Sequence, residues 1–152
     1  MSPPVAPVPR VVLDTNVCLD LFLFRDAQSA ALLEALRRGL VQAVTRDDCR
    51  AEWLRVLHYP RLPVDDGNRM EVNAAFDALV HCLPQAQSAV PSPLRLPLCT
   101  DADDQKFLEL AAAAGARWLL SKDRELLKLD RRTRMLAQFS ILTPRAWTLA
   151  SP

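Results

Sequence analysis

Two aspartates follow short apolar runs that have the character of buried strands. Asp14 comes directly after residues 10–13, and Asp123 closely follows the apolar run at 117–121. In an open parallel sheet, ligands bind outside the carboxyl ends of the strands, so both carboxylates are expected where a site would form. Asp14 is the harder one to explain as a purely structural residue, because a buried acid is costly unless it has partners.

Further acids lie on helices that are predicted to follow neighbouring strands. Glu52 lies one turn into its helix, and Asp101, Asp103 and Asp104 open another. Within a helical turn, residues three apart share a face, which groups Asp101 with Asp104. Each acid also has a structural interpretation: Asp103 as a helix N-cap, Asp123 as a turn residue, and Glu52 as the partner of a nearby arginine.

Carboxylates that meet at one site need something to offset their mutual repulsion. Two of them about 5 Å apart repel by roughly 3 kcal/mol at an effective dielectric constant of about 20. Such a cluster requires a bound cation or a shared proton. Oxygen ligands without His or Cys favour Mg²⁺ or Mn²⁺ over Zn²⁺. The four cysteines are widely spaced, which is typical of reduced core residues rather than zinc ligands.

The elements that must position these acids alternate between strand and helix. Strands are predicted at 10–13, 40–44, 117–121 and 140–142. Helices are predicted at 15–24, 27–38, from 47 or 48 to a stop at Pro60, 65–83 and 103–114, with short helical turns after Asp123 and from Pro144. The proline-rich stretch 84–97 is a connector with room for one more strand. This alternation indicates an α/β fold with a parallel sheet covered on both faces.

Composition limits the classes of protein that this chain can be. It has 152 residues, of which 50% are hydrophobic and 24% charged, with a net charge of +1. The length suits one domain with its own core, and the charge excludes a strongly basic nucleic-acid binder. Asp14 and Asp20 interrupt the first apolar run, so neither an export signal nor a membrane span is predicted. We expect a cytoplasmic protein with a flexible segment at 1–9 and a single domain over 10–149.

Four segments together resemble a PIN domain, and in particular the subgroup of toxin components of type II toxin–antitoxin pairs. They are V-V-L-D-T-N-V, then E-W, then C-T-D-A-D-D-Q-K-F-L-E-L-A, then W-L-L-S-K-D-R-E-L-L. They occur in the family's order and, with the ending I-L-T-P-R-A-W, extend the likeness from about residue 10 to 147. The resemblance implies a three-layer α/β/α sandwich with a mostly parallel sheet. It also implies an endoribonuclease that depends on Mg²⁺ or Mn²⁺ and a cognate antitoxin protein that covers its active site.

The resemblance assigns roles to individual residues. It implies four catalytic acids, Asp14, Glu52, Asp104 and Asp123, and a metal held by these four together with Asp101. Polar neighbours that would orient the carboxylates are Thr15, Asn16, Asp103 and Ser121. Two positions depart from the subgroup, because Ala102 stands where it usually has Pro and Lys122 where it usually has Gly. Neither departure removes a ligand.

A basic segment follows the last of these acids. An RNA-binding surface is predicted there, made of Lys122, Arg124, Arg131, Arg132 and Arg134. The alternative is an ordinary solvated turn. Separately, the apolar segment 17–24 is either core or part of a homodimer or antitoxin interface.

Two other function classes stay open at this stage. The same fold could serve as a non-catalytic module that binds RNA or a protein partner. The L-D-T-N ending of the first strand also resembles that of a phosphoaspartyl phosphatase or a receiver domain. Those phosphatases need a second aspartate two positions after the first, and position 16 here is Asn.

Overall fold

Five parallel strands form one sheet in the computed structural model, which describes residues 7–88 and 95–152. The strands are β1 (Arg10–Leu13), β2 (Gln42–Thr45), β3 (Val80–Cys82), β4 (Trp118–Leu120) and β5 (Ser140–Leu142). Their spatial order is β3-β2-β1-β4-β5, and every neighbouring pair is parallel. All carboxyl ends therefore lie along one edge, with the β1 and β4 ends side by side at its middle. The predicted α/β class with a parallel sheet is confirmed.

Seven α-helices connect and cover the strands in the described part of the chain. They are α1 (Thr15–Phe22), α2 (Ala30–Arg37), α3 (Asp47–Val56), α4 (Asp66–Leu79), α5 (Gln105–Ala113), α6 (Arg124–Leu127) and α7 (Asp130–Leu136). Short 3₁₀ turns lie at Ala27–Ser29, Gln85–Gln87 and Ala102–Asp104. None of the helices in this part of the chain combines the length and apolar character needed to cross a bilayer.

Two apolar cores lie on opposite faces of the sheet, because side chains alternate along each strand. Val11 and Leu13 face a core shared with α1 to α4, in which Trp53 and Phe76 stack with ring centroids 4.8 Å apart. Val12 faces a second core, shared with α5 and α6. Burying each large side chain stabilises the fold by about 1.5–3 kcal/mol. The result is the expected three-layer α/β/α sandwich.

The longest predicted helix spans 65–83, and the prediction of its C-terminal end is wrong. Helix α4 stops at Leu79, and the chain continues as the edge strand β3, in which Val80 pairs with Ala43 of β2. The apolar spacing of Phe76, Val80 and Leu83 is compatible with a longer helix and also with a helix followed by a strand. Only the pairing with β2 determines that residues 80–82 form a strand. The extra strand therefore precedes the proline-rich connector, of which residues 89–94 lie outside the described residues.

Helix starts also differ from the prediction. Asp103 is not an N-cap; Asp101 takes that role for a 3₁₀ turn, its Oδ1 accepting from the Asp103 N–H at 2.9 Å. Helix α5 begins only at Gln105. Neither Asp47 nor Asp48 caps α3, because Arg46 is the capping residue and both acids lie in the first turn.

The C-terminal third contains one helix that the sequence does not predict. This is α7, whose many charged residues obscure the helical pattern and whose single buried residue, Thr133, packs on the core. The short helical turn predicted from Pro144 is a hydrogen-bonded turn, in which the Ala146 N–H donates to Thr143 O at 3.2 Å. The predicted flexible segment 1–9 lies largely outside the described residues, since 1–6 are not described. Among the free cysteines, Cys18 and Cys49 are buried, whereas Cys82 is exposed.

Candidate active site

A polar cleft of about 200 Å³ opens at the carboxyl edge of the sheet. All four predicted catalytic acids line it, although they are far apart in sequence: Asp14, Glu52, Asp104 and Asp123. Thr15 and Asn16 line it as well, and Val56 and Phe107 form its apolar wall. The acids reach the cleft from the end of β1, from α3, from the start of α5 and from the loop after β4.

Asp14 is fixed at the base of the cleft by two hydrogen bonds. Its side chain is only 7% exposed, and it caps the N-terminus of α1. Oδ1 accepts from the Asn16 backbone N–H at 2.7 Å, and Oδ2 accepts from the Ser121 hydroxyl at 2.5 Å. Burial raises the pKa of Asp14, and these two hydrogen bonds counteract the rise. The carboxylate is therefore oriented but poorly solvated.

Ser121 links the two central strands at the site. It is fully buried, donates to Asp14 and accepts from the Asp123 backbone N–H at 3.0 Å. Asp123 in turn caps α6 through the Glu125 N–H at 2.9 Å. Asp123 thus has a local structural role as a helix cap, and it also lines the cleft.

Asp104 shows the electrostatic effect of the crowded carboxylates. Burial and the nearby charges of Asp101, Asp14, Asp123 and Glu52 raise its pKa to about 6. When Asp104 loses its proton, it adds a negative charge beside carboxylates that are themselves negatively charged, which raises its pKa. The neighbouring carboxylates thus add to the effect of burial on this pKa.

Glu52 is held by a hydroxyl and an ammonium. The Thr15 hydroxyl donates to Oε2, and Lys106 Nζ lies 2.9 Å from Oε1. Lys106 also donates to the Asp103 carbonyl at 2.6 Å. Sequence reasoning missed Lys106; its signal was its spacing, three residues after Asp103 at the start of α5, which places both on one face. The predicted alternative, a pairing of Glu52 with a neighbouring arginine, is not what the structure has.

The donor set fits a hard divalent cation by its chemistry. The lining side chains offer carboxylate, hydroxyl and amide oxygens, which suit Mg²⁺ or Mn²⁺, and the raised pKa of Asp104 indicates unbalanced negative charge. The carboxylates surround the cleft without converging on one point. Within residues 7–88 and 95–152, no three acid, His or Cys side chains form a ready-made ion site.

Other predicted site residues lie at the rim or farther out. Asp101 and Asp103 are exposed and are engaged in the turn before α5. Lys122 Nζ lies 2.5 Å from Asp20 Oδ2. Arg134 pairs with Asp130 at 3.2 Å. The remaining predicted RNA-binding residues are exposed: Arg124, Arg131 and Arg132.

The sheet order and the acidic cleft at its carboxyl edge describe an α/β protein with a site at the centre of a parallel sheet. A sequence profile described as PIN domain matches residues 10–125. The chain therefore belongs to the PIN-domain family, as its motifs predicted.

One solved structure shows the same fold in a distant relative. A chain in the crystal structure of VapBC2 from Rickettsia felis, bound to a DNA fragment from their promoter, aligns with a TM-score of 0.60 and 13% identity. The alignment covers 87% of this chain and 96% of that chain. Comparison with curated proteins finds no match.

Proposed function

We propose that this protein hydrolyses phosphodiester bonds of RNA as an endoribonuclease that depends on Mg²⁺ or Mn²⁺. The observation that carries the proposal is the convergence of four carboxylates, from four separate parts of the chain, on one cleft. Membership of the PIN-domain family supports it. Burial, together with the nearby carboxylates, raises the pKa of Asp104 to about 6, and a perturbed pKa in a cleft is typical of a functional site.

Each residue of the cleft has a proposed task. Asp14, Asp104 and Asp123 would hold the cation, with Asp101 at the rim. When bound, the cation lowers the pKa of a water molecule and stabilises the departing oxygen. Ser121 and the Asn16 N–H orient Asp14.

Glu52 is the proposed proton acceptor of the site. Its two oxygens receive one bond each, from Thr15 and from Lys106, so each keeps a lone pair for a water molecule or a proton. Phe107 and Val56 limit access of bulk water to one side of the cleft.

Cleavage of a structured RNA in Mg²⁺ tests the proposal. Asp14→Asn keeps the shape of the side chain but removes its charge, and we expect a loss of at least about a hundredfold in rate. Glu71→Gln, a matched exchange on the exposed surface of α4, should cleave like wild type. Equal rates for wild type and Asp14→Asn would refute the assignment.

We further propose that the protein is the toxin of a type II toxin–antitoxin pair and acts in the cytoplasm. The solved structure with the same fold is that of VapBC2 bound to a DNA fragment from its promoter, and this likeness supports the proposal. Segment 17–24 contributes mostly to the core, and only Phe24 is largely exposed for a homodimer or antitoxin contact. Induced expression should arrest growth, co-expression of the cognate antitoxin should relieve the arrest, and Asp14→Asn should not arrest growth. Normal growth on wild-type expression would count against a toxin.

A non-catalytic module that binds RNA or a protein partner is the alternative function. The observation that favours it is the lack of a ready-made ion site among the described residues. Calorimetric titration with Mn²⁺, run beside the cleavage assay, separates the two. RNA binding without cleavage or Mn²⁺ uptake would favour the module.

A further inference from the structure

An ion pair between a buried aspartate and a half-exposed lysine lies beside the cleft, and the proposed reaction does not use it. Asp20 lies on α1 and is only 7% exposed, although it is an acid in a mostly apolar helix. Its Oδ2 lies 2.5 Å from Lys122 Nζ. Within the described residues, this buried oxygen has no hydrogen-bond partner, so the ammonium group beside it is what offsets its charge. Asp20 therefore depends on Lys122 to compensate its charge.

Lys122 lies between two residues of the site. On one side is Ser121, which donates to Asp14, and on the other is Asp123, which lines the cleft. The short loop 121–123 is thus attached to α1 twice, through Ser121 to Asp14 and through Lys122 to Asp20. Asp14 and Asp20 are six residues apart, or about 9 Å along the helix axis. Two attachments at that spacing resist rotation of the loop, which a single attachment would allow.

We infer that Lys122, paired with Asp20, is a positioning residue that fixes Ser121 and Asp123 relative to Asp14. A lysine that leaves Asp20 to reach an RNA phosphate would abandon a buried carboxylate, so this pairing opposes the predicted role of Lys122 in RNA binding. The effect of the pair on metal affinity rests on the proposed function, whereas its effect on the loop does not.

Amide hydrogen exchange of the metal-free protein tests the inference directly. The variants are Lys122→Met, Asp20→Asn, the double variant and the conservative Lys122→Arg. We expect the amides of Ser121, Asp123 and Glu125 to exchange about tenfold faster in each single charge-removing variant. The double variant should exchange no faster than the single ones, because they break one interaction. Lys122→Arg should retain protection.

Lys128→Met is the matched control, since Lys128, at the end of α6, forms an exposed ion pair with Glu125 that does not involve the loop 121–123. It should leave Ser121 and Asp123 protected. Unchanged protection of both residues in Lys122→Met and Asp20→Asn would overturn the inference. This readout needs no metal, so it decides the matter even if the wild-type protein takes up no Mn²⁺ and the proposed function fails.

Mn²⁺ calorimetry extends the test to the site. Both single variants should weaken Mn²⁺ binding by about ten- to a hundredfold, as the loss of supporting contacts around a metal typically does. If Lys122 instead contacts phosphate, Lys122→Met should weaken RNA binding with Mn²⁺ affinity intact. Asp20→Asn should then strengthen RNA binding by releasing the lysine. Those two results together would contradict the positioning role.

Discussion

Ser121 is the side chain on which two acids of the cleft depend. Replacing it with Ala removes the donor to Asp14 Oδ2 and the acceptor for the Asp123 N–H. The Asp14 oxygen would then be buried without that partner, which costs about 1–3 kcal/mol. We expect Ser121→Ala to lower the free energy of unfolding by that amount in urea denaturation and to raise the pKa of Asp14 further.

Ser140→Ala is the control for this prediction, because Ser140 is also buried in a strand but lies at the opposite edge of the sheet. Ser140→Ala should lower the free energy of unfolding by clearly less than Ser121→Ala does. Equal losses for the two variants would mean that the hydroxyl of Ser121 has no special role.

Asp104 gives the metal-free protein a defined pH dependence. Its pKa is about 6 in the folded state, above the usual value of 3.8, so the folded state binds the proton more tightly than the unfolded chain. Stability therefore falls as pH rises from about 4 to 6. Because the side chain is partly exposed, screening reduces the effect to about 1 kcal/mol. Asp104→Asn should remove this fall and be the more stable protein at pH 7.5.

The check is urea denaturation in EDTA at pH 4.5, 6.0 and 7.5, with Glu71→Gln as control. Parallel curves for wild type and Asp104→Asn would show that the pKa of Asp104 is not raised in the folded protein.

At the residue scale, sequence predicts the acids better than their partners. Asp14 and Asp123 stand at strand ends, and their position alone indicates a shared edge. The Asp20–Lys122 and Glu52–Lys106 pairs join residues from separate elements, with no local signal that matches them. Asp20 shows only as an acid in an apolar helix, and its partner is known only once the fold is known.

At the scale of elements, the orientation of α7 determines whether the arginines on this helix are accessible to RNA. Thr133 is fully buried and seats this helix beside β5, which leaves Arg131, Arg132 and Arg134 exposed. Converting all three to Ala should reduce the slope of log affinity against log salt by up to about 2 for single-stranded RNA. The measurement is filter binding over a salt series with Asp14→Asn, which prevents cleavage.

A triple variant of exposed arginines elsewhere, Arg37, Arg38 and Arg61 to Ala, is the control. If it changes the slope as much as the α7 variant does, binding follows net charge rather than this helix.

The elements that sequence missed are the ones decided by neighbours. Strand β3 continues the apolar spacing of α4, and α7 has one buried residue among its charges. Strands β1, β4 and β5 carry their own apolar pattern and were found within a residue or so. Local pattern thus predicts these three strands, one of them at an edge of the sheet, whereas only pairing with β2 decides β3.

At the scale of the whole molecule, the near-neutral charge conceals an uneven distribution. The net charge is +1, yet acids gather in the cleft while arginines lie exposed on α7. Binding of a cation should therefore stabilise the fold. Mn²⁺ at about 100 times its Kd would add about 2.7 kcal/mol, or roughly 5–10 °C in Tm.

Thermal unfolding with and without Mn²⁺ measures this gain, and Asp14→Asn should lose most of it. An equal gain in that variant would point to Mn²⁺ bound outside the cleft.

The sheet order also sets when the cleft can form during synthesis of the chain. The central strands β1 and β4 bring together residues as far apart as Asp14 and Ser121, which are 107 positions apart. A nascent chain that has not yet released β4 from the ribosome has neither the middle of the sheet nor Asp123. Contacts of such long range also form late in folding. The cleft therefore forms only after β4 and the loop that carries Asp123 have left the ribosome, however early the first strands and helices have folded.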